Sequence, residues 1–585
     1  VNDGTGRLAE PASGEVPADN PNALIWGTYL GGGDIDGGID VAIDAAGNVI
    51  VMGETYSTDF PTTPGVYDIG YNGWVDVFVT KMSSNGSSVL WSTYFGSSDA
   101  GVADVPVSLA LDASGNPVMS GYSSAGFPVT PGAYDTGWSG GDDVWVAKLS
   151  SNGATLLWST FLGGSDYEFP DALVLYSSGS VFVTGATYSA DFPTTPGAYD
   201  RSYSTGGDVF VAKLSSTGAS LAWSTFLGGG EGGTGAGIVL DGSGRPVVTG
   251  YATAGTFPTT VGTYDPSWNG RDDVFVAKLS ADGASLVWST FLGGSGNDDG
   301  VALAFDASGN VVLAGNTGSS DFTTTAAAYD PTWNGATDVF VAALSSGGTN
   351  LLWSTFLGGK DDEQVWDLAL DSYGSPVVAG VISAAVSTDF PTTYLTFDGS
   401  FNGGGLDGFV SALWRDGDVL TWSSFLGGSG ADEVRSLALK ASGDPVLIGV
   451  TDSSDFPTTP GAYDRSLNGS ANDAFVLHLD IEDPTGVGDV AAPSLTSMIS
   501  CAPNPFNHAT RVRYSLARDT EVDVRVFDVL GRLVEVLDYG PRAAGPHDVS
   551  WDGRNARGHA VATGVYFVRL VAGGETFERK VMVVR

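Results

Sequence analysis

Carboxylates are the side chains best placed, by number and spacing, to do chemistry in this chain. Asp34, Asp36 and Asp40 fall in one short stretch, DIDGGID, where hard oxygen ligands are interleaved with glycines. That combination suits Ca2+, although the spacing is not that of the twelve-residue EF-hand loop. Ca2+ is the one cofactor expected, and these three residues are its expected ligands. Further acids gather at Asp166, Glu168 and Asp171, at Asp298 and Asp299, and at Asp361, Asp362 and Glu363. A separate Asp opens seven related segments, at Asp76, Asp143, Asp208, Asp273, Asp338, Asp407 and Asp473. Seven equivalent uses suit a turn in which Asp accepts backbone N–H groups better than a reaction.

Residues for other chemistry are sparse. His478 stands alone before the last ninety residues, and His508, His547 and His559 lack ligand spacing. No nucleophile elbow, phosphate-binding loop or dinucleotide fingerprint occurs. A carboxylate pair could serve a glycan hydrolase, but so many acids make chance pairs common, and no catalytic residue is expected. Trp138, Trp268 and Trp333 recur in TGWSGGDD, PSWNGRDD and PTWNGATD. They could stack on sugar rings at one face. Tyr203, Phe401 and Leu467 at the matching places favour packing instead.

These residues need elements to hold them. A Trp recurs at Trp26, Trp91, Trp158, Trp223, Trp288, Trp353 and Trp422, at intervals of 65, 67, 65, 65, 65 and 69 residues. Each period carries four strand signals: an apolar run such as VALAFD, a Gly-Asn turn, a run such as VVLAG, a proline-bearing segment such as DFPTTPGAYD, an alternating DVFVAKLS, and the Trp phrase LLWSTFLGG. Four antiparallel strands repeated seven times predict a seven-bladed β-propeller. The chain supplies a Trp phrase first, at residues 23–32, and ends its repeats on DAFVLHL with none after it. Residues 23–32 are therefore expected to be the missing outer strand of the seventh blade, with Trp26 buried at the closure. On this layout the loops into the first and third strands share one face, and that face collects the acids.

Repeats of the form DASGNPVVTGYT, DFPTTPGAYD and DVFVAKLS resemble the bacterial SBBP propeller repeats over residues 23 to about 482. The resemblance implies a propeller and an extracellular habit, and carries no catalytic residues.

The last ninety residues differ in composition. Residues 495–585 hold 12 of the 25 basic residues against 10 acidic ones, so the net charge of −42 belongs to the earlier part. Val512, Tyr514 and Leu516 alternate with Arg511 and Arg513, and Val522, Val524 and Val526 with Asp523 and Arg525. About seven short strands bounded by turns predict a small Ig-like β-sandwich. Asn504-Pro505-Phe506-Asn507, Asp528 with Gly531-Arg532, Trp551-Asp552-Gly553 and Gly564-Val565-Tyr566-Phe567 resemble the C-terminal sorting domain of type IX secretion cargo, itself similar to the Ig-like module of flagellar hook-capping proteins. That resemblance implies export and attachment at, or release from, a cell surface.

The expected organisation is an extended tail over 1–22, a propeller over 23–482, a linker over 483–497 and an Ig-like domain over 498–585. Such acidity excludes nucleic acid as a partner. No apolar run is long enough to span a bilayer. Cys501 alone forms no disulfide framework. Opening on Val1, and poor in Lys, the chain is expected to be processed and secreted. The leading functional expectation is a non-enzymatic extracellular or cell-surface structural protein that self-assembles, filaments included, through its tail and C-terminal domain. The alternative is an adhesin or glycan-binding propeller using Ca2+ on its loop face.

Overall fold

The computed structural model describes residues 19–481, apart from 98, 100, 230–231, 254, 384–388, 394–395 and 470–471, and residues 497–583, apart from 503–509, 517, 519, 530, 543–544, 556 and 558. It divides into two compact units, Val1–Gly486 and Val487–Arg585. Residues 483–496 of the linker, Asn504–Asn507, His508 and the tail over 1–18 lie outside the described residues.

The first unit is a propeller-like all-β fold. Its described residues form seven four-stranded antiparallel sheets. The first runs through Asp36–Ile43, Val49–Thr55, Asp76–Met82 and Val89–Phe95 in chain order, and five more follow the same plan. The seventh takes Asp432–Leu439, Pro445–Thr451 and Asp473–Leu479, then adds Leu24–Leu30 as its fourth strand. Thr28 stands opposite Val476 and Tyr29 opposite Phe475 in that antiparallel pair.

Side chains dictate this stacking. In each third strand nearly every residue is buried, as with Val77, Phe78 and Val79, so both faces of the sheet need a partner. Accordingly each apolar core lies between two sheets. Val41, Val51 and Phe78 of the first sheet, for example, pack with Trp26, Leu30, Ile448 and Val476 of the seventh.

The recurring Trp lies across each junction. The indole N–H of Trp91 donates to the Ser151 carbonyl in the next sheet at 3.0 Å, and that of Trp158 to Ser216 at 3.1 Å. Trp26 does the same to Ser84 of the first sheet at 3.1 Å and is 4% exposed. The glycine closing that hairpin, Gly86, has φ +66° and lies so close to the Trp26 ring that a Cβ would collide with it. A glycine is needed there on both counts.

Residues just before 23 also contact the first unit. Asn20 donates its N–H to the Thr396 carbonyl at 2.7 Å, Asp19 accepts from Gly399 N–H at 3.0 Å, and Pro21–Ala23 forms a 3-10 turn leading into Leu24.

The described residues of the second unit form seven strands in two sheets. Ser497–Ala502, Thr510–Leu516 and Gly545–Trp551 form one, and Leu533–Arg542, Thr520–Asp528, Gly564–Ala572 and Glu575–Val583 the other. Val512, Tyr514, Leu516, Val522, Val524 and Val526 all enter its core, as their alternation predicts. Among the described residues no helix is long and apolar enough to cross a membrane.

Candidate functional site

The first strands of successive sheets face one another and are tied by polar side chains. Asp40 accepts the Leu109 N–H of the second sheet at 2.6 Å and the Ser436 hydroxyl of the seventh at 2.8 Å. Asp367 accepts the Leu437 N–H at 2.9 Å. Burial pushes Asp40 up to about 7, with the Asp367 charge adding to it. Asp40 is thus a latch between neighbouring sheets.

The three acids expected to bind Ca2+ are not brought together. Asp36 is fully buried and accepts the Gly32 N–H at 2.6 Å and the Ser57 hydroxyl at 2.9 Å. Asp34 is exposed and turns to its own neighbour, accepting the Ile35 N–H at 2.9 Å. Among the described residues no group of three His, Cys, Asp or Glu side chains is placed to hold a metal ion. The physical reason is the pleat and a bulge between Gly38 and Asp40, which send Asp36 and Asp40 to different neighbours. The recurring Asp that opens each third strand does what turn chemistry predicts: Asp76 accepts the Asn72 N–H at 2.8 Å, and Asp473 the Asn468 N–H at 2.7 Å.

His478 is a structural residue at the junction made by Leu24–Leu30. Burial, with the Lys440 ammonium 3.4 Å from its Nδ1, pushes it down to about 3, so it is neutral. Its ring packs 5.9 Å from that of Trp26.

Of the three loop tryptophans only Trp138 joins a larger feature. Trp333 packs against the core between the fourth and fifth sheets, and Trp268 lies beside Gly255. Trp138 is 44% exposed and donates its indole N–H to the Gly141 carbonyl. Gly141 in turn abuts the ring of Tyr167, which is 48% exposed. Tyr167 stacks on Phe169 at 6.1 Å and 12°. Phe169 meets Tyr122 edge-on at 5.0 Å and Tyr188 at 6.3 Å. The result is an aromatic platform on the acidic loop face, confined to the second and third sheets.

Carboxylates rim it. Asp142 is raised by burial, and Asp171 is pushed up to about 7 by burial, countered by a hydrogen bond from Thr234. Beyond Tyr251, whose surroundings include Tyr188, Asp171 and Asp299, the same face opens into a cleft of about 660 Å3. Arg271, Asn297, Asp299, Asn316 and Gln364 line it, and burial with Asp272 and Asp298 lifts Asp299 to about 6. Flat rings beside acceptors and amides can stack on sugar faces while binding hydroxyls.

Sequence reasoning passed over Tyr122, Tyr167, Phe169 and Tyr188. The signal was there as a break in the repeat: SDYEFP stands where the fifth repeat reads SGNDDG.

Residues 507–575 match the FlgD Ig-like domain family, so the C-terminal unit carries a FlgD Ig-like domain. No curated protein matches the chain. Among solved structures, a europium-containing methanol dehydrogenase aligns over 80% of this chain and 95% of its own at 10% identity and a TM-score of 0.34. An acylaminoacyl peptidase from Pyrococcus horikoshii aligns over 82% of this chain and 58% of its own at 8% identity and a TM-score of 0.36. Likeness at that level says nothing about chemistry in this chain.

Proposed function

We propose that the seven sheets are blades of a closed seven-bladed β-propeller of SBBP type, and that the chain is a non-enzymatic extracellular or cell-surface protein that binds glycan on its loop face. Closure is supported by the pairing of Leu24–Leu30 with Asp473–Leu479 and by the reach of Trp26 to Ser84. The FlgD Ig-like domain supports a role in surface attachment, and a type IX sorting role is the finer reading of it. The aromatic platform carries the functional reading. Architecture in this unit repeats from sheet to sheet, whereas Tyr122, Tyr167, Phe169 and Tyr188 gather in one sector. Exposed rings cost solubility unless something covers them. Sugar rings fit because the flanking groups are acceptors and amides rather than further apolar surface.

The test is binding of the whole chain to a panel of soluble and insoluble polysaccharides, with Tyr167→Ala/Tyr188→Ala alongside. Retention on at least one polysaccharide, weakened tenfold or more in the double variant, is expected. Retention unchanged by the double variant, or none on any polysaccharide, would remove the glycan reading. The tail expected to carry assembly lies, over 1–18, outside the described residues.

A further inference from the structure

We propose that the junctions between sheets are divalent-cation sites of the Ca2+ class, each held by the Asp near the start of one sheet's third strand and the acid at the start of the next sheet's first strand. The inference stands apart from the glycan reading, since none of these carboxylates belongs to the aromatic platform.

At the junction of the sixth and seventh sheets, Asp407 and Asp432 are both fully buried. Both face Gly427: a Cβ there would stand 2.8 Å from Asp407 Oδ1 and 2.9 Å from Asp432 Oδ2. Asp76 and Asp104 face Gly96 in the same way, at 3.0 and 2.6 Å. Asp473 and Asp36 face Gly31 at the junction of the seventh and first sheets, and the Asp143, Asp273 and Asp338 junctions repeat the arrangement. Six junctions therefore carry a pair. The remaining one is a built-in control, because Gly233 stands where the partner acid would be and Ala252 where other sheets place a Thr or Ser that bonds it.

The second observation is unused bonding capacity. Asp407 Oδ1, Asp473 Oδ1 and Asp76 Oδ1 are buried, with no hydrogen-bond donor, on side chains that are 0% exposed. Main-chain carbonyls approach one of these carboxylate oxygens from a second glycine. The Gly270 Cβ position lies 3.0 Å from Asp273 Oδ1, 2.5 Å from the Gly294 carbonyl and 2.6 Å from that of Gly296. At this junction Asp298 also accepts the Gly294 N–H at 2.7 Å, and the Gly296 carbonyl the Arg271 N–H at 3.0 Å, while Asp273 Oδ1 has no donor.

The charged groups acting on Asp407 are Asp432 and Asp398, and those on Asp473 are Asp36 and Asp464, all of them acids. Two buried carboxylates without a counter-charge must take up a proton or a cation. A shared proton would bond one carboxylate to its partner, whereas Ca2+ would gather both carboxylates with nearby carbonyls and water to reach six to eight oxygens.

The test uses the full chain, stripped with chelator and titrated with Ca2+, following bound metal by elemental analysis and unfolding by heat. About six ions per chain and an unfolding midpoint several degrees higher in Ca2+ than in chelator are expected. Asp407→Asn should bind one ion fewer. Asn mimics a protonated carboxyl, so under proton sharing the same variant would match the parent in every readout. No bound metal, with the midpoint identical in Ca2+ and chelator, overturns the proposal. If Asp407→Asn fails to fold, the parent's ion count and its shift in chelator still decide.

Discussion

The fifth sheet and the seventh have the same four strands but are made differently. The fifth, Asp298–Phe305 through Leu351–Leu357, is one continuous run, and the hairpin between its last two strands places Gly348 on Trp288 of the preceding sheet. The seventh has no such hairpin, because its last two strands, Asp473–Leu479 and Leu24–Leu30, lie far apart in the sequence of the first unit. Among the described residues Trp422 of the sixth sheet accordingly meets no turn glycine, and Leu24 and Ile481 pack in its core instead. The neighbouring bond changes too. Elsewhere a tyrosine N–H such as Tyr329 donates to a turn glycine carbonyl, here Gly417, while beside the seventh sheet Asn20 donates to Thr396. The lesson is that the repeat unit in the sequence and the packing unit in space are offset by one strand. That offset lets noncovalent contacts join the two ends.

Several measurements would break or sharpen this comparison. Removing residues 19–30 strips the fourth strand from the seventh sheet alone, and we expect loss of cooperative folding, read by near-UV circular dichroism. A truncated chain that melts like the parent would make the assembled junction dispensable.

Next in size is the pH response of the paired junctions in chelator. Asp407 and Glu363 are each pushed up to about 8, by burial first, then Asp407 by Asp432 and Asp398, and Glu363 by Asp338, Asp361 and Asp389, against a main-chain hydrogen bond in each case. Between about pH 4 and 8 the folded chain therefore holds protons that the unfolded chain has released, so stability falls as pH rises through that window, by up to about 1.4 kcal/mol per pH unit for each such group. Asp44 has the opposite sign. Burial works against its charge, but Lys81 and Asn48 outweigh it and hold the group at about 2, so its contribution is lost on acidification. The midpoint in chelator should peak in mildly acid buffer, and a flat profile up to pH 8 would contradict the burial of these pairs.

Trp26→Ala should cost about 3–5 kcal/mol in denaturant unfolding, with Trp288→Ala as the continuous-sheet counterpart. Equal losses would mean that the assembled junction is as strong as any other. Gly86→Ala should cost about 2 kcal/mol, since it adds a collision with Trp26 to an unfavourable φ. Gly47→Ala, with φ +78° but nothing nearer than Ser84 Cβ at 3.7 Å, should cost about 1 kcal/mol.

Much of this was legible in the residues. Period, strand count, the buried Trp and the offset of Leu24–Leu30 all follow from local pattern, because a strand's faces and a turn's glycine are set by near neighbours in sequence. The alternation of Val522, Val524 and Val526 likewise predicted the second core. The partners of the first acidic stretch were not legible. Asp34, Asp36 and Asp40 are adjacent in sequence, but a bulge and the pleat send Asp36 toward Asp473, 437 residues away, and Asp40 toward Leu109 and Ser436.

By itself, then, the sequence determined which residues form strands, which faces are apolar and how many sheets follow one another. Only the tertiary structure decided which carboxylates meet and which aromatic rings share a surface. Such meetings depend on contacts between sheets, and no periodicity within one strand encodes which side chain of the next sheet will stand opposite.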